Sequence, residues 1–197
     1  MPVIYYIRHG ETAWNAEGRF QGSRDIPLND LGRAQAVTAG GILADLMARD
    51  GRKASALPFV ASPLGRARLT MELVRETLKL PPNEYATDDR LREIGYGQWE
   101  GLTLQEMERH DAATFASRNV DKWGIAAPSG ESYASVTLRM RGWFDSLLMD
   151  TVAVAHGGTM RALMVALGIA TPLQAADTPI GQGVVYVFRD GGMRKYG

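Results

Sequence analysis

At 197 residues, 45% apolar and 22% charged, the chain suits one domain over 1–197, able to bury roughly 70% of the surface its unfolded form exposes. Its 22 basic residues balance its 22 acidic ones, which argues against nucleic acid or an anionic membrane as partner. Cysteine is absent, excluding disulfides, thiolate metal sites and cysteine nucleophiles. No apolar run approaches the length of about 18 residues needed to cross a membrane. The N-terminus has no signal-peptide pattern, and a motif histidine at position 9 leaves no room for a leader, so a soluble, cytoplasmic protein is expected.

The first predicted element is a strand at Val3–Ile7, rich in β-branched and aromatic residues. A helix follows from about Asp30 to Arg49, with Asn29 as N-cap and Ala36, Ala39, Gly40, Leu43, Leu46 and Met47 on one face. The pair Gly40-Gly41 weakens it by about 1 kcal/mol per glycine. Next come a strand at Leu57–Ala61, a helix striped by Ala67, Met71, Val74 and Leu78, and a strand at Tyr85–Thr87. Leu102–Ser129 breaks the alternation and reads as one or two short helices plus a loop, an insertion over the site. Val136, Met140, Trp143, Phe144 and Leu147 stripe a third helix. A strand at Thr151–Ala155, a helix striped by Met160, Leu163, Met164 and Leu167, and a strand at Val184–Phe188 complete the series. Near-continuous apolar strands alternating with helices predict an α/β fold, its mostly parallel sheet covered on both faces.

Ligands of open α/β sheets bind beyond the carboxyl ends of the strands. The first strand releases there into Arg8-His9-Gly10, the second into Ser62-Pro63-Leu64-Gly65-Arg66, and the one ending at Ala155 into His156-Gly157-Gly158. Two of the three histidines in the chain thus share one end of the sheet with two arginines. Guanidinium forks favour a phosphate-like anion; a metal ion is disfavoured, since the arginines would repel it. Singly, each residue has a plainer explanation. Arg8 could pair a structural carboxylate, His9 could be a hydrogen-bonded core histidine, and His156 could cap a turn. Nothing in its own spacing selects Glu93 from Asp88, Asp89, Arg90 and Arg92, and His110 is expected to be exposed.

Together the residues resemble the histidine phosphatase superfamily, also called phosphoglycerate mutase-like. The resemblance rests on Arg8-His9-Gly10-Glu11-Thr12 with Asn15, Gln21-Gly22 and Pro27-Leu28-Asn29, then Ser62 to Thr70 around Arg66. It continues through Leu91 to Gly101 around Glu93, Ser129-Gly130-Glu131-Ser132, and Val154-Ala155-His156-Gly157-Gly158. It implies a three-layer α/β/α fold and a chemistry that uses no cofactor and no metal. It further implies His9 as nucleophile, forming a phosphohistidine, and Arg8, Arg66 and His156 as ligands of the phosphoryl oxygens. Glu93 is implied as general acid and base, with Asn15, Gln21 and the Gly157 amide adding hydrogen bonds to phosphate or substrate.

Three functions compete. A phosphatase of small phosphomonoesters is favoured over a phosphoglycerate mutase, because the insertion lacks the paired arginines that mutases resemble one another in carrying. A non-catalytic phosphate-binding module predicts a missing His9, Glu93 or His156, and all three are present. The short chain resembles the branch of α-ribazole phosphatases and broad-specificity phosphatases. Tyr96, Trp99, Phe115 and Trp123 suggest a monophosphate with an apolar or aromatic portion. The expected partner is a small-molecule phosphate ester, and the protein itself a monomer or homodimer.

Overall fold

The computed structural model describes all 197 residues. Its elements run β1 (Ile4–Arg8), α1 (Ala13–Ala16), α2 (Asp30–Arg49), β2 (Phe59–Ala61), α3 (Gly65–Thr77), β3 (Ala86–Thr87) and α4 (Leu104–His110). They continue with α5 (Ala112–Val120), α6 (Tyr133–Asp145), β4 (Thr151–Ala155), α7 (Gly157–Ala166), α8 (Pro172–Asp177), β5 (Val185–Arg189) and β6 (Gly192–Tyr196). One six-stranded sheet has the order β3-β2-β4-β1-β5-β6. Its first four strands pair in parallel, and β5 and β6 add on antiparallel.

Because strand side chains alternate between faces, each central strand feeds two cores. Tyr5, Ile7, Val152 and Val154 pack with Leu43, Met71 and Val74 of α2 and α3. Ile4, Tyr6, Ala153 and Ala155 pack on the other face with Val136, Met140, Trp143, Met160 and Leu163 of α6 and α7. The expected α/β fold with helices on both faces is therefore observed. Gly40 in α2 has a packing reason: a Cβ there would sit 2.7 Å from Thr77 Cβ, where α2 crosses α3.

Helix α2 spans the predicted residues, and Asn29 Oδ1 accepts from the Gly32 amide, 2.8 Å away, as its cap. Three elements escaped the sequence reading. Strand β6 carries Arg194 and Lys195 and lacks apolar alternation, as suits an exposed edge. Its signal is the turn Asp190-Gly191, two successive left-handed residues (φ 52° and 75°), the hairpin combination that Asp-Gly favours. Helices α1 and α8 are four and six residues long, too short for periodicity to register. No helix is long and apolar enough to cross a membrane.

Candidate active site

The strand register brings the motifs together. Arg8 lies opposite Ala155, and Ala61 opposite Val154, so three neighbouring parallel strands end nearly level. The next residues continue the ladder: the His9 amide donates to Ala155 O, and the Ser62 amide to Val154 O, both at 2.9 Å. His9 and His156 consequently meet edge to face, with ring centroids 5.1 Å apart. The backbone at His9 passes close against the start of α2, and a Cβ on Gly10 would overlap the Gly32 carbonyl. Glycine is needed on both sides of that contact.

Above this floor lies a cavity of about 220 Å³, lined by Arg8, His9, Asn15, Gln21, Arg66, Glu93 and Gly157. Of the sequence-predicted site residues only His156 does not line it; its ring is fully buried beside His9. Backbone carbonyls anchor both arginines. Arg8 Nη1 donates to Ile180 O at 2.6 Å, and Arg66 donates to Arg24 O and Gly22 O at 2.6 and 2.8 Å. The Nε of each remains without a partner, as do His156 Nδ1 and Gln21 Oε1. Buried polar groups normally find partners, so four unmet groups around one cavity mark a place for a polar ligand.

The two rings are neutral. Burial, then Arg66 and Arg8, hold His9 well below the ordinary imidazole value. Burial does the same for His156, aided by Arg66, His9 and Arg8. His9 Nδ1 lies 2.7 Å from Gly10 O, and a carbonyl only accepts, so Nδ1 carries the proton and Nε2 keeps its lone pair. His156 Nε2 contacts Ser62 Oγ at 2.7 Å. The Tyr6 hydroxyl ties the backbone of His156 to Thr159, receiving the His156 amide at 3.2 Å.

Glu93 stands on irregular backbone between a short 3-10 turn at Asp89–Leu91 and another at Gly97–Trp99. Its carboxylate accepts from the Ile94 amide at 3.0 Å and from the Gly158 amide in the first turn of α7 at 3.2 Å. A Cβ at Gly158 would overlap that carboxylate, which explains the second glycine of the His156-Gly157-Gly158 turn. Asn15 Oδ1 is held by the Thr12 amide and by Gln182 Nε2, both at 3.2 Å, leaving its amide nitrogen to serve the cavity.

The rest of the wall departs from expectation. It comes from Gly18, Arg19, Phe20, Gly22, Tyr96, Gly158 and Arg161, and no residue of the 102–129 insertion lines the cavity. The insertion braces the wall from behind: Arg118 lies over the Tyr96 ring at 5.6 Å, and Glu106 pairs with Arg19 at 2.7 Å. Of the four aromatics proposed to meet substrate, only Tyr96 reaches the cavity. Trp99 is buried near Phe115, and Trp123 stacks on Tyr133 at 4.7 Å; hydrophobic burial claimed them for the core. Arg161 went unnoticed in the sequence although it lies four residues beyond Gly157, on the same helix face. Gln182, which also donates to His9 O at 3.0 Å, sits in a loop with no periodicity to betray it. His110 is exposed.

Residues 4–193 match the model of the histidine phosphatase superfamily (branch 1). The chain belongs to this superfamily. It is 30% identical to a 2,3-bisphosphoglycerate-dependent phosphoglycerate mutase of Gloeobacter violaceus, over 95% of this chain and 85% of the relative. The mycobacterial glucosyl-3-phosphoglycerate phosphatase is also 30% identical, with a TM-score of 0.78 over 94% of this chain and 89% of that one. A candidate α-ribazole-5′-P phosphatase of Escherichia coli superposes with a TM-score of 0.80 over 98% and 94% of the two chains. At 22% identity it speaks for the fold alone. Superfamily members include phosphatases and mutases, and a floor of two neutral histidines and two anchored arginines suits phosphoryl transfer in either.

Proposed function

We propose that this protein is a phosphatase of small phosphomonoesters, working through a phosphohistidine on His9 without a metal ion. The observation that carries the reading is the state of His9: neutral, its Nδ1 proton committed to Gly10 O, its Nε2 lone pair free, in a cavity with two arginines. Nε2 attacks phosphorus, the bond from phosphorus to the ester oxygen breaks, and Glu93 gives a proton to the departing alkoxide. Water then attacks the phosphohistidine, the N–P bond breaks, and the Glu93 carboxylate accepts the water proton as inorganic phosphate leaves. Arg8, Arg66, His156 Nδ1 and the Gly157 amide stabilise the charge on the phosphoryl oxygens; Asn15 and Gln21 complete the polar wall.

The leaving group faces Phe20, Tyr96, Arg19 and Arg161. Arg19 is already bound to Glu17 and Glu106, whereas the Nε of Arg161 donates only to Thr178 O, at 3.1 Å, and its guanidinium joins no ion pair. The wall thus favours a polar or anionic leaving group over the aromatic one suggested by the sequence. The mutase reading draws support from the mutase relatives at 30–31% identity and from that free cation, which would suit a second phosphate. One assay separates the readings: phosphate release from a panel of phosphomonoesters in EDTA, beside interconversion of phosphoglycerates primed with 2,3-bisphosphoglycerate. Metal-independent release that is lost in His9→Ala is expected. Primed interconversion without net release would make the protein a mutase instead.

A further inference from the structure

We propose that Arg139 on α6, together with Glu131, is the positioning residue for Glu93, so that its contribution to catalysis passes through the general acid and through nothing else. The inference rests on the proposed role of Glu93 and extends it to residues that touch neither the cavity nor a substrate.

The phosphoryl-binding groups Arg8, His9, Arg66, His156 and Gly157 stand at strand ends or in the first turn of a helix, where a backbone ladder fixes them. Glu93 has no such support, because the backbone of residues 92–95 belongs to neither helix nor strand. Its carbonyls are gathered by a single guanidinium. Arg139 Nη1 donates to Arg90 O at 2.6 Å and to Arg92 O at 2.8 Å, and Nη2 donates to Glu93 O at 3.3 Å. The same Nη2 meets Glu131 Oε2 at 3.0 Å, and Nε meets Glu131 Oε1 at 3.2 Å. Glu131 in turn takes the Gly95 amide on Oε2 at 2.9 Å, while its own amide donates to Gly95 O at 2.8 Å. The acid is thus bracketed: carbonyls at 90, 92 and 93 are held by the arginine, and residue 95 by its carboxylate partner.

Stability alone does not call for this arrangement. The ion pair is partly exposed, with 19% and 37% of the two side chains accessible, and a solvent-exposed pair contributes little to folding. Positional precision is what a planar five-donor fork provides. The helix that carries Arg139 packs against α7 through the core face containing Met140 and Val136. The clamp thereby references Glu93 to the helix that also presents Gly157 and Gly158 to the cavity. An acid acts on the leaving oxygen only within hydrogen-bond reach, so a displacement of about 1 Å removes its contribution while sparing the phosphoryl-binding floor.

The test compares two substrates, p-nitrophenyl phosphate, whose leaving group needs little protonation, and an alkyl phosphate, which needs a proton. Values of kcat/KM are used because they report the step that expels the leaving group. Arg139→Gln should lower kcat/KM about 10–100-fold for the alkyl ester, part of the usual range for a lost acid, and less than about threefold for the nitrophenyl ester. Arg139→Lys should recover part of the loss, and Glu131→Gln, the milder change, should reproduce its pattern on a smaller scale even if Arg139→Gln folds poorly. In a Glu93→Gln background none of these changes should lower the rate further. Equal losses on both esters, or additive losses in the Glu93→Gln background, would overturn the proposal. Should Glu93→Gln alone fail to discriminate between the esters, the role given to Glu93 would be wrong, a result distinct from failure of the clamp.

Discussion

The floor of the cavity and its outer wall are built by different means. The floor stands on parallel strand ends: Arg8 closes β1, His9 and His156 follow β1 and β4, and Arg66 lies in the first turn of the helix after β2. The wall is loop, residues 18–22 and 93–96, with one helical arginine at 161. A ladder of backbone hydrogen bonds fixes the floor whatever the leaving group is, whereas the wall is held by side-chain clamps that substitution can alter one at a time. The floor should therefore govern whether phosphoryl transfer occurs, and the wall should govern which ester is cleaved.

Changes to the floor should strike every substrate alike. His9→Ala should abolish turnover on all esters while leaving the cooperative unfolding transition intact, read by thermal melt beside phosphate release. Arg66→Gln should cost about 10²–10³ in kcat/KM, the scale of one lost oxyanion donor, with little dependence on the leaving group. If that loss varied strongly from ester to ester, the division between floor and wall would fail. At the boundary, Glu93→Gln should cost about 10²–10⁴ on alkyl esters and much less on p-nitrophenyl phosphate.

The floor should also carry a stability cost that the wall lacks. His9 and His156 are depressed well below the ordinary value of 6.5 in the folded protein. Below that pH the unfolded chain takes up protons that the native one refuses, so stability falls as the pH drops. Between pH 7.5 and 5.5 each histidine should remove up to about 1.4 kcal/mol, measured by urea unfolding without phosphate. A variant lacking both imidazoles should show a correspondingly shallower pH dependence. The smallest effect is expected at the wall: Arg161→Gln should reduce kcat/KM for esters with an anionic leaving group by about two- to fivefold, the worth of a partly exposed charge contact. Neutral esters should be unchanged; an equal loss on neutral esters would place Arg161 with the floor.

The same division decides what the sequence could disclose. Each floor residue follows closely on an apolar run whose type and end are readable, so the sequence alone suffices to place Arg8, His9, Arg66 and His156 at one end of the sheet. Helix α2 is equally plain because twenty residues display their periodicity. Glu93 is reached only through family resemblance, since nothing local distinguishes it from the charged residues around it. The wall and its supports stay hidden for a related reason: Arg19 and Phe20 in the wall, and Gln182 behind Asn15, owe their positions to tertiary contacts without a repeating pattern. Trp99, Phe115 and Trp123 mislead because an aromatic packed on the core and a substrate-facing one read alike in sequence, and here core packing prevails. Arg139 illustrates the limit again, being one of two arginines on α6 until the carbonyls that it gathers are seen.

Every role given to the floor and the wall depends on one step, transfer of the phosphoryl group to His9 Nε2. Its most direct test is rapid base quench of the enzyme with ³²P-labelled substrate, followed by peptide mapping of the label. Alkali-stable, acid-labile label is expected on the peptide bearing His9, formed and discharged fast enough to support turnover and absent in His9→Ala. Phosphate release without such label, or label on another residue, would contradict it.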